Sequence, residues 1–158
     1  MRKIFLAVFL VVSMFPLWSK PIDENTALKV AVQVLFAKQA NVGETQQKNE
    51  KPQPLKLVYK SSNETIVYFY VFTTQDNGSF VIVSGDDRVP PVLGYSLSNG
   101  FSVENMPDNV AWWLGEYAKQ IAYAIEKDIE PEQEVKQQWD NYLKNVENNE
   151  KENNKYEK

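Results

Sequence analysis

The sequence predicts an α+β domain in which a four-stranded antiparallel sheet carries helices packed on one face. Four extended runs, rich in apolar and aromatic residues, follow one another between residues 55 and 98 and are joined by short turns. Segments whose apolar residues recur at helical spacing lie before and after these runs. Consecutive strands with short connections pair as a meander, and helices that flank such a sheet cover its apolar face.

The first helix is predicted over residues 23–40, where apolar side chains recur at helical spacing. Asn25 or Thr26 can cap its first turn with a side-chain oxygen. Residues 41–54 contain Gly, Thr, Gln, Asn and two prolines, a composition typical of a polar connector.

The strands are predicted over residues 55–60, 65–74, 79–84 and 92–98. Asn77-Gly78 separates the second run from the third and is a strong hairpin signal, because both residues accept a positive φ at low cost. Short polar turns separate the other runs, which completes the antiparallel meander.

A second helix is predicted from Pro107, with Pro107 in its first turn and Asp108 near its positive end. One apolar stripe follows the helix to Ile125 and includes Trp113. A third helix follows Pro131 with a narrower stripe, and residues 147–158 are polar and predicted to be disordered. The folded domain is therefore expected to span residues 20–146.

The amino terminus has the pattern of a secretory signal peptide. Arg2 and Lys3 precede an apolar run over residues 4–18, which gives way to Ser19 and a polar stretch. We expect cleavage after Ser19, which makes residues 1–19 the signal peptide, and an uncleaved membrane anchor is the alternative. The mature protein is then secreted, periplasmic or extracellular, with no stable membrane insertion.

Composition excludes most enzyme classes. The chain has 158 residues with no cysteine and no histidine, so it contains no thiol nucleophile, no Ser-His-Asp triad and no usual zinc or haem ligand set. A net charge of −4 argues against nucleic acid as a partner. Adjacent Asp86 and Asp87 point to opposite sides of the backbone, so with Arg88 they are expected to form a turn with a local ion pair. We expect no enzymatic activity, no cofactor and no metal site.

At the start of the second helix, residue chemistry alone leaves two questions undecided: the role of residues 105–109 and the exposure of Trp112. The segment Asn105-Met106-Pro107-Asp108-Asn109 is rich in hydrogen-bonding groups, as either a binding site or a plain helix start would be. Trp112 lies about 100° around the helix from Trp113 and falls at the edge of the apolar stripe. It is either an exposed interface anchor or packed against the preceding loop.

Several consecutive motifs together resemble one family. They are residues 78–88 (GSFVIVSGDDR), 91–96 (PVLGYS), 100–102 (GFS), 109–111 (NVA) and 116–121 (EYAKQI). In order and spacing they resemble the prodomain of streptopain-type cysteine peptidases and the free-standing Spi-type inhibitors, over about residues 24–127. The resemblance implies a streptopain prodomain-like fold that docks on a papain-like catalytic domain and closes its active-site cleft.

The same resemblance implies the site residues. In the family an Asn at the start of the long helix reaches the active site and displaces the catalytic histidine, and its counterpart here is Asn109. Asp108, Trp112 and Met106 surround Asn109 in sequence and are expected to contact the peptidase. The partner implied is a streptopain-like cysteine peptidase, and the free protein is expected to be a monomer.

The function predicted is a secreted proteinaceous inhibitor of a streptopain-like peptidase, and a folding chaperone for that peptidase in trans is the second role considered. The 158 residues contain neither the catalytic Cys nor the catalytic His of the family's peptidase domain, and we expect either a stand-alone inhibitor or a relic of a zymogen. The alternative from another class is a secreted binding or adhesion module that keeps the prodomain fold without inhibitory activity.

Overall fold

Within residues 20–42 and 54–156, which the computed structural model describes, the chain forms three α-helices and four β-strands. The elements in chain order are α1 (Glu24–Val42), β1 (Leu55–Ser62), β2 (Val67–Thr74), β3 (Phe80–Ser84), β4 (Val92–Ser96), α2 (Asp108–Glu126) and α3 (Gln133–Tyr156). The predicted signal peptide and most of the predicted connector lie outside the described residues. Among the helices so described, none combines the length and the apolar character that a membrane span requires.

The strands form one antiparallel sheet in the order β1-β2-β3-β4, which confirms the predicted α+β class and the four-stranded meander. The hairpin between β2 and β3 turns at Asn77, whose φ is 55°. Its side-chain Oδ1 accepts hydrogen bonds from Thr73 Oγ1 (2.9 Å) and from the backbone N–H of Phe101 (3.2 Å). The hairpin turn therefore also holds the loop that leads into α2.

The helices lie on both faces of the sheet, so the prediction that they pack on one face is wrong. Along β2, Tyr70 and Phe72 join the core formed with α1 and α3, whereas Phe69 and Val71 join the core formed with α2. Successive strand residues point to opposite faces, and residues 69–72 are all buried. A nearly continuous apolar run is typical of a strand covered on both sides, and β2 and β3 both have that pattern.

Helix α1 begins one residue after Asp23, which caps it instead of the predicted Asn25 or Thr26. Asp23 Oδ1 accepts a hydrogen bond from the Thr26 N–H (3.0 Å), and Oδ2 accepts one from Thr26 Oγ1 (2.7 Å). The two hydrogen bonds from Thr26 hold the pKa of Asp23 below its ordinary value. A carboxylate in this position also interacts favourably with the helix dipole.

Helix α3 packs against α1 through a few anchors. The Trp139 side chain is buried in the α1-side core, and its indole Nε1 donates to the backbone oxygen of Val89 (2.9 Å). Gln33 Nε2 donates to the backbone oxygen of Tyr142 (3.1 Å). The helical backbone continues to Tyr156, beyond residue 146, where the sequence predicted the helix to end. Residues 147–156 contain Glu and Lys, which are good helix formers, and four Asn, which are not, so the composition alone did not fix where the helix ends.

Candidate functional site

The start of α2 is an exposed helix end without a side-chain cap. Pro107 is extended (φ −60°, ψ 142°) and stands immediately before the first helical residue, Asp108, rather than inside the first turn as predicted. Its carbonyl oxygen accepts hydrogen bonds from the N–H groups of Val110 and Ala111, both at 2.9 Å. The N–H groups of Asp108 and Asn109 have no intrahelical acceptor, as is usual for the first turn of a helix.

Asn109 is the second residue of α2, and its side chain is exposed. Its amide makes no hydrogen bond to any other residue in the described part of the chain. An Asn amide offers two donor hydrogens and one acceptor oxygen. All of these groups are therefore directed to solvent, where an approaching partner meets them first.

Trp112 stands one turn further along α2 and is 68% exposed, which resolves the open choice in favour of exposure. Trp113, predicted in the core stripe, is 37% exposed instead. Its ring packs edge-on against Tyr117 (centroids 4.6 Å apart) and over Gly94, where an added Cβ would lie 3.2 Å from the indole. The absent side chain of Gly94 leaves room for the ring on the sheet, so Trp113 covers strand β4 rather than entering the core.

Asp108, Asn109 and Trp112 point to the same side of α2. Residues three and four positions apart on a helix are neighbours on its surface, about 5–6 Å between Cβ atoms. Asp108 and Asn109 stand four and three residues before Trp112, so a carboxylate, an amide and an indole form one exposed group. The structure therefore brings these three predicted residues together on one surface.

Met106 has a different position from these three. It is half-buried and packs against the core on the α2 side of the sheet. Val103, on the same loop, is 47% exposed and was not among the predicted site residues. The only sequence signal for it is an apolar residue between polar Ser102 and Glu104 in a loop.

Helix α2 holds the exposed group of Asp108, Asn109 and Trp112 on a backbone that is packed against the sheet. Leu114 and Ile121 are buried against the sheet, and Phe101 packs edge-on against Phe80 (centroids 5.5 Å apart) just before the loop. The backbone that carries the exposed side chains at the helix start is thus held against the core within two turns. Buried apolar contacts of this kind restrict the backbone without restricting the exposed side chains.

The group at the helix start presents polar and apolar binding groups to solvent. It offers an amide, a carboxylate and an apolar ring, and none of these is paired with a general base. Among the described residues, no three acidic side chains converge on a point where they could hold a metal ion. The arrangement fits recognition of another macromolecule.

The Asp86-Asp87-Arg88 turn is structural, and the predicted local ion pair is confirmed. Arg88 Nη1 lies 3.1 Å from Asp86 Oδ1 and 3.0 Å from Asp86 Oδ2, while Nη2 lies 2.6 Å from Asp128 Oδ1. Asp86 is 2% exposed, and burial raises its pKa against the opposing hydrogen bonds from Arg88. The cluster joins the β3–β4 turn to the end of α2, and sequence reasoning missed the Asp128 partner because it is distant in the chain.

Comparison with known proteins identifies the relatives of this chain. The family model described as Spi protease inhibitor matches residues 19–121, which include the whole sheet and the start of α2. The thiol protease/hemagglutinin PrtT of Porphyromonas gingivalis is 28% identical over 132 residues, which are 83% of this chain and 15% of that protein. Streptopain of Streptococcus pyogenes is 46% identical over 55 residues, which are 35% of this chain and 13% of streptopain.

The chain thus spans less than a sixth of the length of the curated relatives it matches. The family match, in contrast, covers well over half of the chain and contains the whole exposed group on α2. The fold it covers is the four-stranded sheet with α1 and most of α2. On these grounds the chain belongs to the Spi protease inhibitor family.

Proposed function

We propose that this chain is a secreted inhibitor of a streptopain-like, papain-fold cysteine peptidase and that it blocks the active-site cleft with the start of α2. The observation that carries the proposal is the solvent-directed amide of Asn109, mounted on a rigid helix within the segment that matches the inhibitor family. The similarity to streptopain and to the PrtT thiol protease supports a peptidase of that class as the partner.

In this proposal Asn109 inserts into the cleft and hydrogen-bonds polar groups there. An amide side chain can donate and accept at once, and it contains no main-chain peptide bond that the peptidase could cleave. Because α2 is held against the sheet by its buried residues, Asn109 loses little conformational entropy on binding. Displacement of the catalytic histidine, which the family resemblance implies, is the inhibitory step.

Asp108, Trp112 and Met106 flank Asn109 with different roles. Trp112 is an exposed aromatic side chain, the residue type most enriched among energetic anchors of interfaces. Asp108 adds a carboxylate beside the inserted amide, and half-buried Met106 fixes the loop that precedes them. Together they form the surface that surrounds the cleft entrance.

The proposed setting is outside the cytoplasm. The basic and apolar pattern of residues 1–18 supports export, after which the mature protein meets the peptidase as a monomer and protects the producing cell. A domain that fits the cleft of a folded peptidase can also act as a template while the peptidase folds, so we include a chaperone role in trans. Inhibition requires no catalysis, cofactor or metal on this chain.

Trp112→Ala should raise the inhibition constant about tenfold, or about 1.4 kcal/mol in binding free energy, because truncation removes an apolar anchor from the interface. The melting temperature should hardly change, since most of the Trp112 side chain is already in water. The measurement is inhibition of a mature streptopain-like peptidase by the purified variant, with thermal denaturation of each protein.

Tyr123→Ala is the matched control. Tyr123 is 57% exposed and stands 11 residues further along α2, which places it on nearly the same side of the helix but about 16 Å away. Equal losses of inhibition for the two variants would contradict an anchor at the helix start. If the unmodified protein inhibits no such peptidase at all, the proposed function fails and a binding or adhesion module becomes the better account.

A further inference from the structure

The first described residues form an isolated β-bridge with the turn after β3. Pro21 and Asp86 form an isolated antiparallel bridge, and the Ile22 N–H donates to the Gly85 carbonyl oxygen (2.8 Å). Ile22 is buried in the α1-side core, and its own carbonyl oxygen accepts a hydrogen bond from Tyr70 Oη (3.0 Å). Pro21 and Ile22 are therefore attached to the sheet and its following turn.

Lys20 and Asp87 form a reciprocal pair at the outer end of this bridge. The backbone nitrogen of Lys20 donates to Asp87 Oδ1 at 2.7 Å, and the Asp87 N–H donates back to the Lys20 carbonyl oxygen at 3.2 Å. The first of these contacts is short for a nitrogen–oxygen hydrogen bond and ends on a carboxylate. The Asp87 carboxylate thus accepts a hydrogen bond from the backbone nitrogen of Lys20. Cleavage of the predicted signal peptide after Ser19 would make this nitrogen the new amino terminus.

We propose that the Ser19–Lys20 peptide bond is the processing site and that the α-ammonium released on Lys20 forms an ion pair with Asp87. Water adds across the bond, so that Ser19 leaves with the carboxylate and the Lys20 nitrogen takes up protons to become an ammonium group. A hydrogen bond from a neutral N–H to the Asp87 carboxylate becomes one between two ionised groups at the same position. Removal of the leader therefore stabilises the attachment of the amino terminus to the sheet.

The ion pair is specific to cleavage at that one bond. Cleavage one residue later would begin the chain at Pro21 and remove the Lys20 nitrogen altogether. Cleavage one residue earlier would leave an uncharged amide at Lys20 and place the ammonium about 3.8 Å further away, the spacing of consecutive Cα atoms. The proposal rests on export of the chain and not on its inhibitory activity, so the two can fail separately.

The first test is the identity of the exported product. The complete chain is expressed in a bacterial host that exports it, and the intact mass and amino-terminal sequence of the processed protein are measured. We expect a product that begins at Lys20. A product that begins at any other residue, or an unprocessed chain, overturns the proposal.

The second test measures the ion pair itself. Two proteins are released from a cleavable fusion partner, one beginning at Lys20 and one beginning at Ser19, each with and without Asp87→Asn. The Lys20 form should melt about 3 °C higher than the Ser19 form, a shift typical of one modest interaction in a domain of this size. Asp87→Asn keeps the size and the acceptor oxygen but removes the charge, so the difference should disappear in that background.

Two outcomes of the second test contradict the ion pair. One is an equal melting temperature for the Lys20 and Ser19 forms, and the other is a difference that persists unchanged with Asn at position 87. Salt provides an independent check, since 1 M sodium chloride should reduce the Lys20–Ser19 difference by screening the pair. A difference that is insensitive to both salt and Asp87→Asn would reflect chain length alone.

Discussion

Replacing Asn109 with alanine should weaken inhibition of a streptopain-like peptidase about 30-fold, which corresponds to about 2 kcal/mol of binding free energy. In the proposed complex the amide is buried among polar groups of the cleft, and its removal would leave those groups without a partner. The measurement is the inhibition constant of the purified variant against the same peptidase as the unmodified protein.

The stability of the free protein should not change with this substitution. Pro107 occupies the cap position of α2, and the Asn109 side chain accepts no hydrogen bond from the first turn. If Asn109 capped the helix, its replacement would lower the free energy of unfolding by about 0.5–1 kcal/mol. The exposed position in the structure reduces the expected change in unfolding free energy to within about 0.5 kcal/mol. A loss of inhibition can then be assigned to the interface.

Gln120→Ala is the matched control for Asn109→Ala. Gln120 is an exposed amide on the same helix, 11 residues further along and nearly on the same side. Asn109→Asp should weaken inhibition as much as Asn109→Ala does, because it keeps the size but loses both donor hydrogens. If Asn109→Ala inhibits as well as the unmodified protein, Asn109 has no part in the mechanism and the surface around Trp112 must account for inhibition.

Gly85→Ala should destabilise the fold by about 3 kcal/mol and lower the melting temperature by about 10 °C. A Cβ on Gly85 would lie 2.2 Å from the carbonyl oxygen and 2.8 Å from the carbonyl carbon of Val67. These are backbone atoms at the start of β2, and Gly85 is tied to that strand by a hydrogen bond from its N–H to the Tyr68 carbonyl oxygen (2.8 Å). Room for the methyl group requires the two strands to separate.

Gly115→Ala is the control substitution for this prediction. Gly115 lies inside α2, and an added Cβ there would meet nothing within 4 Å. Alanine is the better helix former, so this variant should gain about 0.5–1 kcal/mol in unfolding free energy. Thermal and urea denaturation of both variants measure the two effects. A Gly85→Ala protein that melts like the unmodified one would contradict the close approach of β2 to the turn after β3.

The sheet could be predicted from the sequence because its signals are local. Asn77-Gly78 marks the hairpin, and the apolar runs on either side differ from the strands only at their ends. The placement of the helices on the two faces of the sheet could not be predicted from such local signals. The number of covered faces depends on whether both sides of β2 are buried, and the nearly all-apolar run that ends at Phe72 was the signal for this.

The candidate site also has some features that could be predicted from the sequence and others that could not. Exposure of Trp112 follows from helical geometry once Val110 and Leu114 are assigned to the buried side. Trp113 packs over Gly94, which belongs to the neighbouring strand β4. This contact could not be predicted from the residue pattern of the helix alone. The partners of Arg88 show the same limit, because Asp86 is two residues away and Asp128 is 40 residues away.

The most direct test of the central claim is the mode of inhibition. The mature protein is titrated into the mature streptopain-like peptidase of its own organism at several concentrations of a small peptide substrate, with the protein alone as a control for hydrolysis. Blockage of the cleft by the start of α2 predicts competitive inhibition, in which the apparent inhibition constant rises linearly with substrate concentration and the protein alone releases no product. An apparent inhibition constant that is independent of substrate, or the absence of inhibition, would contradict the account.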